Sequence, residues 1–194
     1  EFIPHAEHGG FLHPYPKVMF KIINESARAY KGVIPEDRYH EPYMPLEELR
    51  KEMDEMTFFG YEEEERLLGV VGFQPVRDVA LVRHLYVLPK HQRRGIGAKL
   101  LSHIKCIATT EQVLVGTWEA ATWAIRFYEK HGFRLLPNKD ELLRRYRKIP
   151  ERQIELSVVL GINLASKSEC CQNKGMEKVD KNDVKPNCIL LPIL

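Results

Sequence analysis

Cysteine is scarce in this chain of 194 residues: there are four, and three of them, Cys170, Cys171 and Cys188, lie near its C-terminal end. Their spacing suits neither a zinc site nor a disulfide framework, so a reducing, cytoplasmic setting is expected. An excess of either charge is also missing. The formal net charge of +2 gives no reason to expect nucleic acid or a membrane surface as partner. No apolar run reaches the about eighteen residues that a spanning helix needs, and no basic-then-apolar leader is present, so neither a transmembrane helix nor a secretory signal is expected. The first sixteen residues lack hydrophobic periodicity and carry Gly9-Gly10, three prolines and His5, His8 and His13. A polar, proline-broken leader of this kind reads as an arm rather than a metal site, and no metal is expected. What remains is ordinary globular composition, 44% hydrophobic and 29% charged, enough for one domain with a real core.

The stretch around which the chain is organised is Gln92-Arg93-Arg94-Gly95-Ile96-Gly97. An apolar strand over residues 79–88 runs into Pro89, and a helix with Leu100, Leu101, Ile104 and Ala108 on one face begins after the glycines. Glycines and arginines at a helix start leave backbone N–H groups unpaired where the helix dipole already favours negative charge, which makes a pyrophosphate site. Two common nucleotide loops are excluded by what the turn lacks. Lys99 is followed by Leu100, not by the hydroxyl of a Walker A loop, and position 100 is not the third glycine of a dinucleotide fingerprint.

Along the chain, residues 17–30 follow the three-four spacing of an amphipathic helix, with Met19, Ile22, Ile23 and Ala27 on the apolar face. Residues 31–45 hold three prolines and Tyr39, Tyr43 and Met44, which predicts an ordered covering loop. A second helix is expected over residues 46–54, with Glu47, Glu48, Arg50, Lys51 and Glu52 on its wet face. Strands follow at 57–61 and 67–73, joined through Glu62 to Glu65 and ended by Pro75, and again at 112–117. The last of these connects through a helix to the strand at 79–88, the βαβ geometry of parallel neighbours. A short helix at 140–146 and a final strand at 153–160 complete the body. Residues 17–164 are read as one domain, 1–16 as a leader and 165–194 as a polar, disordered tail.

A second block, Phe127-Tyr128-Glu129-Lys130-His131-Gly132-Phe133, closes a helix at Gly132 and starts a new strand. Together with the Gln-Arg-Arg-Gly-Ile-Gly turn it resembles the GNAT superfamily of acyl-CoA-dependent N-acetyltransferases. The resemblance covers residues 17–160. It implies an α/β fold, α+β in some schemes, with a mixed central sheet of about six to seven strands flanked by helices. It further implies that the sheet splays between the strands near 79–88 and 112–117, with the pantetheine arm of coenzyme A in the gap. A first strand before the opening helix would also be usual, and only Phe2-Ile3 or Phe11-Leu12 could supply it.

By that resemblance the activity is acyl transfer (EC 2.3.1 class) from acetyl-CoA to a primary amine, by direct attack in a ternary complex and without a metal. The acceptor is expected to be a small molecule. The alternatives are a protein or peptide acceptor, or a non-catalytic acyl-CoA-binding module. A monomer or homodimer is expected. Backbone groups of Leu85, Tyr86 and Val87 would hold pantetheine and polarise the thioester. Gln92, Arg93, Arg94, Gly95, Ile96, Gly97 and Ala98 would hold the pyrophosphate. Tyr128 stands where the family has a phenol that protonates the leaving thiolate, and Ala121 where many relatives have an asparagine. The base is less legible. The family's positions on the organising strand hold Leu81 and Arg83, and alternation turns the neighbouring His84 to the opposite face unless a bulge intervenes. Glu36, with Asp37, Glu41 and Glu119 behind it, is therefore the candidate base. Arg83, Tyr39 and Trp118 are candidate acceptor contacts, Arg83 suggesting an acidic group on the substrate.

Overall fold

A computed structural model describes residues 15–164 and 189–193 of the chain. The expected first strand and residues 1–14 of the leader lie outside those residues, while Tyr15 and Pro16, set in the leader above, begin the first helix. The opening apolar stripe forms α1 (Tyr15–Ala27), continued by a 3-10 turn over Arg28–Tyr30, and α2 (Leu46–Glu55) follows the covering loop. Then come β1 (Thr57–Glu63), β2 (Arg66–Val76), β3 (Val79–Val87), α3 (Ile96–Ile107), β4 (Gln112–Trp118) and α4 (Thr122–Lys130). The chain closes with β5 (Arg134–Leu135), α5 (Lys139–Tyr146), a short α6 (Glu151–Glu155), β6 (Ser157–Asn163) and β7 (Ile189–Ile193). Among the described residues no helix is long and apolar enough to cross a membrane.

The strands form one seven-stranded sheet in the order β5-β6-β4-β3-β2-β1-β7. β3 and β4 are parallel and the other pairs antiparallel, as a βαβ unit inserted into a meander requires. On one face α3 buries Ile96, Leu100, Leu101 and Ile104 against Leu68, Ala80, Val82, Val113 and Val115. On the other, Met19, Ile22 and Ile23 of α1 and Leu49 of α2 pack on Phe58 and Val70, while Leu143 and Tyr146 of α5 cover Leu81 and Leu114. The sheet is thus covered on both faces, which accounts for the nearly unbroken apolar runs of β2 and β3.

Two strand boundaries differ from the pattern. Pro75 lies inside β2, paired with Ala80 near the β2–β3 turn, and does not end the strand. The final strand starts at Ser157 instead of Gln153 because Pro150 starts a helical turn: its carbonyl accepts from the N–H groups of Gln153 and Ile154. Ile154 is buried from that turn and not from a strand face. Within residues 165–194, set apart above as a tail, Ile189–Ile193 runs antiparallel along the edge of β1.

Candidate active site

The parallel pairing of β3 and β4 stops early. It runs from Val79 opposite Gln112 to Val82 opposite Val115, after which neither strand pairs with the other. The two ends diverge, and a cleft of about 1460 Å³ opens between them. That exceeds the roughly 300–1,000 Å³ of a typical small-ligand pocket and leaves room for two molecules at once. From β3 the cleft is lined by residues 85–87, and from β4 by Gly116, Thr117 and Trp118. At the gap the Tyr30 phenol lies beside the hydroxyls of Tyr86 and Thr117. Burial pushes its pKa up, and those two neighbours offset part of the shift.

At one end the cleft meets the glycine turn. Residues 92, 93 and 95–98 line it. Gly95 caps α3 in the left-handed region, φ 81°, and Arg93 takes φ 61°, so the backbone curls to aim the first-turn N–H groups of α3 at the cleft. A Cβ on Gly97 would stand 3.3 Å from the Phe127 ring, so glycine lets α3 and α4 approach. Gln92 donates from its side-chain amide to the Val87 carbonyl at 3.0 Å, tying the turn to the end of β3. Arg94 does not line the cleft; its guanidinium is turned to the Glu63 carboxylate, 2.8 Å away, and to His91. A cradle of N–H groups with one arginine at the start of a helix is suited to a pyrophosphate.

The middle of the cleft holds Tyr128, 7% exposed and wedged edge-on between Phe127 and Phe133. Burial, and secondarily the nearby Tyr30 phenol, push its pKa above the ordinary value, so it stays a protonated donor. Trp118 lines the cleft and donates from its indole N–H to the Tyr43 phenol at 2.8 Å, and Tyr30 packs on Tyr43 and Trp123. These rings come from four separate segments and wall off one side. Glu36 and Tyr39 do not line the cleft: Glu36 is exposed, and Tyr39 packs with Ile34 and Trp118, its hydroxyl 3.1 Å from Glu41.

At the far end the bulge that would redirect His84 is present. Tyr86 pairs with Val70 and Arg83 with Gly72, so β3 places His84 and Leu85 opposite the single residue Val71. His84 takes φ 50° at the bulge. The extra residue returns it to the face occupied by Arg83, where its ring stacks on Phe58 and its Nε2 lies 3.2 Å from Glu52 Oε2. Arg83 Nη2 reaches the same carboxylate at 2.6 Å, and Nη1 donates to Gln74 at 3.1 Å. Burial outweighs the carboxylate at His84 and holds the imidazole pKa below 6.5, so the ring is neutral near pH 7. Burial pushes Glu52 up, but His84 and Arg83 together outweigh it, and its pKa is lowered from 4.5. Arg147, from the end of α5, also lines this region. Glu52 and Arg147 carry no signal in the sequence beyond a wet helix face and a polar insertion.

Residues 54–135 match the family described as acetyltransferase (GNAT) domain. That stretch is similar to a GNAT domain. Among solved structures, a GNAT-family acetyltransferase of Staphylococcus aureus superposes with a TM-score of 0.61 at 15% identity, over 80% of this chain and 96% of that one. The PaiA N-acetyltransferase of Thermoplasma acidophilum, solved in complex with coenzyme A, does so with a TM-score of 0.55 at 16% identity, over 76% and 92%. The ribosomal-protein-S18-alanine N-acetyltransferase of Escherichia coli gives 0.55 at 16%, over 83% and 95%. These likenesses establish the GNAT fold. No curated protein matches the chain in sequence.

Proposed function

We propose that this chain transfers an acetyl group from acetyl-CoA to a primary amine of a small molecule. The observation that carries this reading is the continuity of one cleft, from the N–H cradle of α3, through the unpaired ends of β3 and β4, to the His84–Glu52–Arg83 cluster. Residues 92, 93 and 95–98 would hold the pyrophosphate, and the backbone of residues 85–87 the pantetheine and the thioester carbonyl. The amine nitrogen attacks the thioester carbon, a C–N bond forms and the C–S bond breaks. Sulfur leaves as thiolate and takes a proton from Tyr128. The proton lost by the amine passes to neutral His84, which Glu52 orients. A free alkylammonium has a pKa of about 10 and gives its first proton to solvent, so that the neutral amine is the form that attacks; once nitrogen bonds to carbon its remaining proton is far more acidic, and a weakly basic imidazole suffices to take it. Because the thioester is already activated, holding both reactants in one cleft supplies much of the rate.

The aromatic wall of Tyr30, Tyr43, Trp118 and Trp123 favours a small acceptor over an extended chain. Thiol release from acetyl-CoA, measured against a panel of small amines, amino acids and peptides, tests the reading. Release that depends on a small amine supports it. Release with peptides alone would replace the acceptor class, and tight acetyl-CoA binding without release under any acceptor would replace the enzyme with a binding module.

A further inference from the structure

The guanidinium of Arg83, the expected dock for an acidic acceptor, has both terminal nitrogens held by Glu52 and Gln74. Arg147 differs. It follows α5, lines the cleft, and among the described residues has no carboxylate within 4.0 Å and no side-chain hydrogen bond. Its surroundings are nevertheless electrostatically connected to the reacting centre. Its charge is felt at His84 and at Tyr43, and it feels those of Arg83, Glu52 and Glu55. Burial, then the like charge of Arg83, lower its pKa to about 10, which still leaves it a cation at neutral pH. Two guanidiniums thus share this end of the cleft with one partly buried carboxylate, Glu52, which pairs with Arg83. Glu55, 4.0 Å from Arg83, is largely in solvent.

A half-buried cation without a counter-ion is costly to keep, and an arginine fork is built to take a carboxylate in two parallel hydrogen bonds. We propose that Arg147 receives a carboxylate of the acceptor, and that the substrate class is a small primary amine bearing a carboxylate, as in a free amino acid. With the acid group on Arg147, the amine lies on the side of His84, which the same charge reaches. This deepens the acetyl-transfer reading and rests on it.

The test compares phenylalanine with phenylalaninamide as acceptors for the wild type, Arg147→Gln and Arg147→Lys. Differences in amine pKa between the two acceptors cancel when the acid-to-amide ratio of kcat/KM is compared between proteins. Losing a charge-assisted pair is expected to lower that ratio about tenfold to a hundredfold in Arg147→Gln, with part of it restored in Arg147→Lys. An unchanged ratio overturns the proposal. Because Arg147 has no partner to orphan among the described residues, the melting temperature of the glutamine variant should equal or exceed the wild type's, which guards against misfolding. Calorimetric binding of N-acetylphenylalanine and its methyl amide to CoA-saturated protein separates the two readings. If no amine drives thiol release but the carboxylate form binds better and loses its advantage in Arg147→Gln, acetyl transfer fails and the anion site stands. If amines are acetylated while both compounds bind alike in both proteins, the anion site fails alone.

Discussion

Burial sets the protonation of Tyr128 and His84, and the roles proposed for them follow from it. Tyr128 is held neutral by its apolar surroundings; a nascent thiolate of ordinary pKa about 8.5 is the weaker base of the two, so the proton transfer runs uphill and depends on the phenol being placed against the sulfur. Tyr128→Phe is expected to lower kcat about a hundredfold with little change in KM for acetyl-CoA, read by steady-state kinetics. His84 sits below 6.5 because burial disfavours its charged form. Its acid limb in the kcat profile should therefore fall below pH 6.5 and vanish in His84→Gln; a limb above that value would assign the proton transfer elsewhere. The same shift has a stability sign. Below 6.5 the unfolded chain protonates its histidine before the folded one does, so stability present above that pH is lost on acidification. Glu52, lowered from 4.5, adds a loss in the same direction below about that pH. Removing the partner of a nearly buried carboxylate is worse: Arg83→Met should cost on the order of 3 kcal/mol in chemical denaturation.

At the scale of the elements, the turn and its helix could be read from sequence because their signals are local. Gly95 and Gly97 follow Pro89 at a fixed spacing, and Leu100, Leu101 and Ile104 repeat at helical intervals in both the pattern and the core. The His84 site was hidden for a physical reason. Alternation along β3 sends His84 away from Arg83, and only the pairing with β2, a property of two strands together, inserts the residue that brings it back. Glu52 was hidden too, since a wet helix face looks the same whether solvent or a bulged strand end lies over it. In α6 a proline start overrode the alternation of Ile154, Leu156 and Val158. The glycine turn makes a prediction of its own. Gly95 has no atom within 4 Å of an added Cβ but holds φ 81°, so Gly95→Ala should cost about 1 kcal/mol of stability. It should also raise KM for acetyl-CoA, because the backbone cannot keep its curl without strain.

For the whole molecule, the sheet does two jobs. Its covered face against α3 supplies the rigid core, and the loss of pairing beyond Val82 and Val115 makes the cleft in the same sheet. The far edge is capped by β7 on β1. A chain ending at Leu164 should leave that edge open and speed amide exchange of β1, while exchange within β3 and β4 stays slow. Neither change reaches the cleft, so acetyl transfer should survive it. The central claim is that one cleft joins a thioester to an amine through Tyr128 and His84. Thiol release from acetyl-CoA in the presence of small amines, run for wild type, Tyr128→Phe and His84→Gln side by side, tests it most directly. The account predicts amine-dependent release in the wild type that drops about a hundredfold in each variant. Release that is absent in the wild type, or equal in all three proteins, would contradict it.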